Sequence, residues 1–529
     1  MKKKWLLPLL RRRFLVALLV AAQAMLFIYF LLSTSRTSSV IANSFSAISV
    51  LVALFVLAGK GESSYKLTWI FVILCFPVVG GLLYLSFDQH VLRHSLIRRA
   101  KKAELKTRPL AHAAGGASWT SSELPKTVRY LSGFAGFPAY LDSESAFLSS
   151  GEEMFLRLKE ELLKAKRYIF LEYFIIEHGK MWDEILEILL KKVEEGVEVR
   201  VIYDDMGCFL RLPNKYGKLL KNYGIRVARF NPFVPFFSVE QNNRDHRKIT
   251  VIDGKIAFTG GINLADEYIG TVERYGKWAD NAVMIEGAAA WSFALMFLQM
   301  WDIINRGTEE DLLRFLPEEY AVQNGDAKTR GEEAAKAEEN LPSAVSKGQR
   351  LILPYADSPL DSENIGALVY MDIIQNAKRY VYITTPYLII DDQMVNALTY
   401  AAKSGVDVRI ITPHKWDKKL VHMATRSYYR VLWKNGVKIY EYTPGFMHAK
   451  TVVADDEIAV VGSVNFDYRS LYLHFECGAY LYGTDSVAAV KDSFLEYMDV
   501  STEIFPREDG SNIFKKLYYA ILRLLAPLL

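Results

Sequence analysis

The hydrophobic and polar positions divide the chain into an apolar amino-terminal part and a longer part where strand and helix patterns alternate. Three apolar runs come first, over residues 14–32, 40–59 and 67–87. The first has no formal charge over 19 residues, close to the roughly 20 that a helix needs to cross a bilayer. The second contains Asn43 and three serines, and the third has aromatic residues near its ends, as at a membrane interface. This pattern predicts an integral membrane protein.

Basic residues flank the apolar part on both sides, six before the first run and six between residues 93 and 106. A cleaved signal peptide is the alternative for the first run, but the run is long, lacks a small-residue cleavage pattern and is followed by further apolar runs. The positive-inside rule places both flanks in the cytoplasm, which requires an even number of crossings. We expect a multi-pass protein of the cell membrane with cytoplasmic catalytic lobes. One of the first two runs, most readily the second, is then re-entrant or interfacial.

The rest of the chain repeats itself with a period near 200 residues, which indicates a duplicated domain. AKRYIFLEYFII at 165–176 returns as AKRYVYITTPYL at 377–388, and GVEVRVIYDD at 196–205 returns as GVDVRIITPH at 405–414. Helical patterns with apolar residues three and four positions apart, such as 181–196, lie between these strand patterns. Alternating strands and helices predict an α/β fold with two similar lobes.

These patterns also set the domain boundaries. We expect a membrane-spanning segment (1–90), a basic juxtamembrane stretch and linker (91–130), a first lobe (131–307), a mobile charged linker (308–348), a second lobe (349–508) and a C-terminal amphipathic helix (509–529). The charged linker is expected to be mobile because few large apolar residues occur in it. The C-terminal helix suits an anionic membrane interface, and packing on the second lobe is the alternative.

Two segments, HRKITVIDGKIAFTGGIN and HAKTVVADDEIAVVGSVN, carry the candidate chemistry with identical spacing. The matched positions are His246, Lys248, Asp253 and Asn263 in the first segment, and His448, Lys450, Asp455 and Asn465 in the second. Each segment is typical of a strand, a turn and a second strand. Residues two apart on a strand share a face, so each histidine should lie beside a lysine. A second copy in register makes coincidence negligible.

An anionic phosphate fits these residues better than a metal ion, because the lysines would repel a cation and bind phosphate oxygens. One neutral imidazole can attack phosphorus while its protonated partner supplies the leaving alcohol with a proton. Each ring needs a carboxylate that fixes its tautomer. Our candidates are Asp280 and Glu476, and the alternative for each is an ordinary surface carboxylate. Asp253 and Asp455 begin turns, so we expect them to brace the motifs.

The overall charge and the cysteines narrow the function further. The chain has 529 residues, with 64 Lys and Arg against 60 Asp and Glu, a formal net charge of +4. No global basic field therefore marks a nucleic-acid partner, and the apolar runs also disfavour a nuclease. The three cysteines are too few and too far apart for a disulfide framework or a Cys-rich zinc site. They indicate a reducing compartment for the catalytic part.

The two motifs resemble those of the phospholipase D superfamily, which carries H-x-K-x4-D twice on two similar lobes with the site between them. The closer resemblance, over nearly the whole chain, is to bacterial-type cardiolipin synthases. It rests on the hydrophobic amino end and on three segments: NRDHRKITVIDGKIAFTGGINLADEYIG (243–270), GFMHAKTVVADDEIAVVGSVNFDYRS (445–470) and YDDMG (203–207). The resemblance implies transfer of a phosphatidyl group from one phosphatidylglycerol to another, with release of glycerol and without metal or organic cofactor. The expected partners are phosphatidylglycerol and anionic membrane lipids.

The resemblance also implies roles for the motif residues. The catalytic set it implies is His246, Lys248, Asp253, His448, Lys450 and Asp455, and the phosphate-binding set is Lys248, Lys450, Asn263 and Asn465. His246 would be the nucleophile and His448 the acid and base, although near symmetry makes the two exchangeable. The chain departs from the family beside Asp280: an Arg and a His are usual there, and this chain has Ala279, Asn281 and Ala282.

Three alternative functions remain open from the sequence. Water could replace the acceptor alcohol, which gives a hydrolase that makes phosphatidic acid, or another headgroup alcohol could be the acceptor. An inactive lipid-binding scaffold is disfavoured, because duplicated folds without activity usually lose a histidine or a lysine and this chain keeps all four. The sequence does not determine the oligomeric state.

Overall fold

The computed structural model groups the chain into two units, which we describe separately. One comprises residues 1–95, 233–243 and 511–529, and the other comprises residues 96–232 and 244–510. The residues that the structure describes are 25, 36–59, 62–76, 80, 81, 84, 94–119, 124–232, 242–307, 310–321, 350–361, 363–506 and 513–528.

The described residues of the first unit form three helices: α1 (Arg36–Ala58), α2 (Ser63–Cys75) and the C-terminal helix (Ile513–Leu525). Glu62 caps α2 by accepting a hydrogen bond from the Ser64 backbone N–H, which satisfies one of the unpaired donors at a helix start. Trp69 and Ile73 are buried together with residues of α1.

The expected apolar runs fall on this unit. The second run lies in α1, and the third begins in α2. The first run, over residues 14–32, lies outside the described residues except for Met25. Within the described ranges, no helix combines the length and the hydropathy that a membrane crossing needs.

The C-terminal helix packs on α2. The Thr68 hydroxyl donates to the Leu524 carbonyl oxygen at 2.5 Å, and Leu528 packs against the buried cluster around Trp69. Its location at an anionic membrane interface stays a prediction. The helix leaves apolar side chains one turn apart exposed, at Ile513, Leu517 and Ile521.

The stretch expected as a juxtamembrane linker is largely helical. It contains α3 (His94–Thr107), a 3-10 helix (Arg108–Ala114) and α4 (Lys126–Arg129), which continues into a π-helical turn (Tyr130–Phe134). Small residues of this stretch, Ala103, Ala111 and Ala114, are buried in the core of the second unit. The part of this stretch within that unit is therefore a packed element and not a linker.

The first lobe is built around a mixed sheet. Its elements are β1 (Ser143–Leu148), α5 (Gly151–Lys164), β2 (Tyr168–Tyr173), α6 (Lys180–Glu194), β3 (Glu198–Asp204), α7 (Asp205–Cys208), α8 (Tyr216–Asn222), β4 (Arg226–Phe230), β5 (Arg244–Asp245), β6 (Lys248–Ile252), β7 (Ile256–Gly260), β8 (Lys277–Ala279), β9 (Ala282–Gly287) and α9 (Ala290–Ile304). The strand order is β1-β9-β7-β6-β2-β3-β4. Strands β2, β3 and β4 are parallel. Helix α6 buries Met181, Ile185 and Leu189, as its sequence pattern predicts.

The second lobe repeats this order. After α10 (Glu318–Ala321), its elements are β10 (Leu351–Asp357), α11 (Ile365–Asn376), β11 (Tyr380–Thr384), β12 (Leu388–Ile389), α12 (Asp392–Lys403), β13 (Asp407–Pro413), α13 (Lys419–Trp433), β14 (Lys438–Tyr442), β15 (Gly445–Met447), β16 (Thr451–Ala454), β17 (Ile458–Gly462), β18 (Phe466–Asp467), α14 (Tyr468–Tyr472), β19 (His474–Tyr482), α15 (Asp485–Asp499) and β20 (Ser501–Glu503). The strand order is β10-β19-β17-β16-β11-β13-β14-β20. Except for β20, this is the order of the first lobe, which confirms the duplicated α/β fold.

The two lobes share one hydrophobic core. Phe170 and Val251 of the first lobe belong to the same buried cluster as Val453 and Ala479 of the second. A continuous apolar interface of this kind holds the lobes together as one folding unit.

Part of the expected mobile linker is structured. Residues 310–321 are structured, and Leu312, Phe315 and Leu316 are buried in the shared core. The Tyr168 hydroxyl also donates to the Phe315 carbonyl oxygen at 2.8 Å. The prediction of a mobile segment from residue 308 is therefore wrong for this part, because a few apolar side chains dock it. Residues 322–349 lie outside the described residues.

Candidate active site

Each motif forms the expected hairpin. Strands β6 and β7 pair antiparallel around Asp253 and Gly254, as do β16 and β17 around Asp455 and Asp456. The φ angles at these four positions lie between +52° and +70°, the left-handed region that a two-residue hairpin turn uses and that Gly, Asp and Asn adopt most easily.

Asp253 and Asp455 bind backbone groups at the turns. The Asp253 carboxylate accepts hydrogen bonds from the backbone N–H groups of residues 166, 167 and 168, each at 2.8 Å. Asp455 accepts from residues 378, 379 and 380 at 2.6–3.0 Å. Both carboxylates tie the hairpin to the strand beside it. We assign them a structural role, and not the catalytic role that membership of the motif implies.

The backbone of each motif is anchored on the opposite lobe. Strand β5, just before His246, pairs in parallel with the start of β19, and β15, just before His448, pairs in parallel with β8. The His246 N–H donates to the Phe475 carbonyl oxygen at 3.0 Å, and the His448 N–H donates to the Ala279 carbonyl oxygen at 2.7 Å. These exchanged strand pairs hold the two motifs at the lobe interface.

Each histidine receives its carboxylate from the other lobe. His246 Nδ1 lies 2.9 Å from Glu476 Oε1, and His448 Nδ1 lies 2.6 Å from Asp280 Oδ2. Both carboxylates are buried, and burial raises the pKa of Asp280 to about 7 despite the opposing charge of Lys450. The arrangement leaves Nε2 of each ring as the atom available to a substrate.

Gly261 allows Asp280 to reach its place. A Cβ at residue 261 would lie 2.0 Å from Asp280 Oδ1, so no larger side chain fits beside this carboxylate. Packing against Asp280 thus explains the glycine of the motif. The Arg and His that are usual beside Asp280 in the family are not needed for the contact between Asp280 and His448.

The two lysines lie under the histidines and are almost fully buried. Lys248 Nζ donates to the His246 carbonyl oxygen at 2.5 Å, and Lys450 Nζ donates to that of His448. Lys450 Nζ also lies 2.9 Å from His448 Nδ1. Because Nδ1 cannot both donate to Asp280 and accept from an ammonium group, we assign its hydrogen to the shorter contact with Asp280. Burial lowers the pKa of Lys248 to about 8 and that of Lys450 to about 7.

The lysines in turn lower the pKa values of both histidines. Burial, then Lys248, Lys450 and His448, hold the pKa of His246 well below its usual value. Burial, then Lys450 and Lys248, do the same for the pKa of His448. Together with the exchanged strand pairs, these pKa effects indicate that the two motifs lie beside one another. A phosphate entering this space would add negative charge and favour protonation of one ring.

The two asparagines differ in their contacts. Asn263 Oδ1 accepts from the Ile175 N–H at 3.0 Å, and its Nδ2 donates to the Tyr268 hydroxyl at 2.7 Å. Asn465 is 5% exposed, and its Oδ1 has no hydrogen-bond partner among the described residues. Asn263 therefore supports the loop and keeps only one N–H group for a phosphate, whereas the Asn465 amide oxygen can accept a hydrogen bond from a ligand that donates one.

Two further residues near the histidines were missed by the sequence reasoning. The His474 ring lies 5.6 Å from the His246 ring between centroids, and burial lowers the pKa of His474 to about 3. Its position two residues before Glu476 could have identified it, since both face the same side of a strand. Lys418, in the loop after β13, lowers the pKa of both catalytic-site histidines. The difference between the two repeats in this loop is the sequence feature that could have identified Lys418.

His246, His474 and Glu476 could also be considered as metal ligands, because one ligand atom from each lies within 4.8 Å of the others. The Nδ1 atom of His246 is already bonded to Glu476, and the buried lysines oppose a cation. These features favour a phosphate over a metal ion, and activity without metal stays a prediction.

Comparison with known proteins adds family relationships to this geometry. A family model described as "Cardiolipin synthase, PLD-like domain" matches residues 158–301 and 370–498, and one described as "Phospholipase_D-nuclease N-terminal" matches residues 47–87. The chain is 43% identical to an uncharacterized protein of Streptococcus mutans, over 90% of this chain and 99% of that protein. It is 34% identical to a cardiolipin synthase of Geobacillus kaustophilus, over 91% of this chain and 92% of that protein. The crystal structure of a phosphatidylserine synthase from Haemophilus influenzae has the same fold, with a TM-score of 0.54, 17% identity, and coverage of 77% of this chain and 100% of that one.

Proposed function

Since the chain belongs to the cardiolipin synthase family with phospholipase D-like domains and is a phosphatidyltransferase of the phospholipase D type, we propose that it transfers a phosphatidyl group from one phosphatidylglycerol to another and releases glycerol. The observation that carries the proposal is the crossed pairing of His246 with Glu476 and of His448 with Asp280. Two oriented imidazoles beside two ammonium groups suit an in-line displacement at a phosphodiester.

The first half of the reaction forms a phosphohistidine. Neutral His246 attacks phosphorus through Nε2, a P–N bond forms, and the P–O bond to glycerol breaks. His448, protonated in the presence of the bound phosphate, gives its Nε2 proton to the departing glycerol oxygen. Lys248 and Lys450 stabilise the negative charge on the other phosphate oxygens.

The second half makes the product. His448, now neutral, takes the proton from a hydroxyl of the second phosphatidylglycerol. The resulting alkoxide character lets that oxygen attack phosphorus, so that a P–O bond forms and the P–N bond to His246 breaks. The assignment of His246 as nucleophile follows the family resemblance, since the two histidines have closely similar surroundings.

The test uses the full chain with phosphatidylglycerol vesicles. We expect cardiolipin and glycerol in equal amounts, and loss of both in His246→Ala and in His448→Ala. Acid-labile, base-stable phosphate label should be trapped on residue 246 of the wild-type protein. Full turnover in either variant would reject the two-histidine mechanism, and phosphatidic acid as the main product would select the hydrolase instead.

We propose a location at the cell membrane, which the helical unit supports, with the lobes on the cytoplasmic side as the basic residues flanking the apolar runs predict. Large apolar side chains on α1, α2 and the C-terminal helix are exposed, among them Leu51, Phe55, Leu67 and Leu517. Such a surface is unusual for a protein surrounded by water. A protein held at the bilayer also meets its lipid substrates at high effective concentration. We expect the protein to float with vesicles, and protease added to inverted membrane vesicles to digest the lobes.

A further inference from the structure

The two lobes differ in the loop that follows their third sheet strand. In the first lobe, β3 runs into the acidic sequence at 204–205, and in the second lobe β13 runs into HKWDKK at 414–419. By the alignment of the two repeats, Lys418 corresponds to Phe209. The second lobe therefore has cationic side chains at a position where the first lobe has none. These cations are not part of the sequence that the two lobes share.

Lys418 contacts Tyr387, and Tyr387 lies beside the second motif. Its Nζ is 5.1 Å from the centre of the Tyr387 ring, and the Tyr387 hydroxyl donates to Asp417 at 2.5 Å, which fixes the ring. Strands β12 and β18 pair in parallel with Leu388 opposite Phe466. Tyr387 and Asn465 are the residues that immediately precede these two paired strands.

Asn465 gives a second, independent indication of a binding place. At the same position of the first lobe, the Ile175 N–H satisfies the amide oxygen of Asn263. In the second lobe the corresponding amide oxygen is buried and has no partner among the residues that the structure describes. Leaving a buried polar atom unpaired costs free energy, and a ligand that donates a hydrogen bond would remove this cost. A hydroxyl of a glycerol headgroup is such a donor.

The reaction requires a place of this kind. Two anionic lipids take part, and the buried lysines of the motifs lie at the phosphorus that reacts. The phosphate of the second lipid needs its own cation, on one side of the site. Lys418 is exposed, and its charge reaches both histidines. Exposed apolar side chains flank it, at Trp416 and Leu420, and these suit the acyl part of a lipid.

We propose that Lys418 and Asn465 form the acceptor subsite, in which Lys418 binds the phosphate of the incoming phosphatidylglycerol and Asn465 accepts a hydrogen bond from its glycerol headgroup. This inference rests on the proposed function. It makes the two sides of the nearly symmetric site distinct, because the acceptor lipid binds on the side of the second lobe.

The test compares a charged with an uncharged acceptor. Labelled glycerol can attack the same phosphohistidine and return phosphatidylglycerol, and it carries no phosphate for Lys418 to bind. In Lys418→Ala we expect cardiolipin formation to fall about tenfold, as for the loss of one charge-assisted phosphate contact. Exchange of labelled glycerol into phosphatidylglycerol should stay within about twofold of wild type. Lys418→Arg should keep both activities, and Lys419→Ala is the matched control on the adjacent exposed lysine.

The outcomes separate this inference from the proposed function. If wild type makes neither cardiolipin nor the exchange product, the proposed function fails. If wild type makes both and Lys418→Ala lowers both equally, Lys418 serves the reacting phosphate and the acceptor subsite is wrong. Unchanged cardiolipin formation in Lys418→Ala, with no rise in phosphatidic acid, would overturn the inference as well.

Discussion

Replacement of Asp280 by Asn tests the crossed pairing most directly. The change keeps the shape of the side chain but removes the charge that faces His448 Nδ1 at 2.6 Å. A hydrogen bond to a charged group contributes about 1.5–3 kcal/mol, which corresponds to roughly 10- to 150-fold in rate. The amide can also donate to Nδ1 and so force the wrong tautomer, and such a change at a catalytic histidine has cost up to about 10⁴-fold. We expect kcat to fall at least about 100-fold, with KM within about threefold.

A donor lipid with a nitrophenol headgroup sharpens this test, because nitrophenolate leaves without a proton. If Asp280 serves the acid His448, Asp280→Asn should slow headgroup release much less with this donor than with phosphatidylglycerol. In Glu476→Gln, the partner of the nucleophile, the loss should be equal with both donors. Release of headgroup is measured by stopped-flow absorbance for nitrophenol and by an enzyme-coupled assay for glycerol.

The control for both variants is Glu457→Gln, an exposed carboxylate at the turn between β16 and β17. It should leave both headgroup releases unchanged. Activity of Asp280→Asn within about threefold of wild type would refute the reasoning, since the shorter of the two hydrogen bonds at His448 Nδ1 would then have no role in catalysis. A uniform loss with both donors would instead exchange the roles of the two histidines.

Three further predictions follow from the same contacts. The value of kcat/KM should fall as the pH rises from 7 to 8, because Lys450 and Lys248 then lose the charge that binds phosphate; their pKa values are about 7 and about 8. The fall in kcat should come at higher pH, because bound phosphate raises both pKa values. A pH profile in which kcat/KM still increases up to pH 9 would contradict this. Asp253→Asn should lower the free energy of unfolding by about 2 kcal/mol, as for hydrogen bonds to a charged acceptor, while cardiolipin formation at 25 °C stays within a few-fold; thermal unfolding measures the first, and an unchanged midpoint would remove the bracing role. Treatment with a chelator, followed by dialysis, should leave the rate of cardiolipin formation unchanged, and recovery of a lost rate by added divalent metal would reverse our choice of phosphate over metal at His246, His474 and Glu476.

The internal repeat predicts much of the fold. Strand and helix periodicity, with matched segments about 200 residues apart, predicted two α/β lobes, and the common strand order confirms them. The turns at Asp253 and Asp455 were also predictable, because their backbone conformation depends on local residue type. Average composition predicted the segment between the lobes less well. It indicates a mobile segment there, but buried Leu312 and Phe315 hold part of it against the core.

The candidate site shows where this local information ends. Local spacing was enough to predict the residue types of the site, two histidines and two lysines, because a strand places residues two apart on one face. The pairing of each carboxylate with its ring depends on the fold, since Glu476 and Asp280 reach the histidines across the lobe interface through exchanged strand pairs. The difference between Asn263 and Asn465 and the position of Lys418 also depend on the fold. Contacts between residues far apart in the chain depend on how whole lobes pack, and no local pattern in the sequence records that packing.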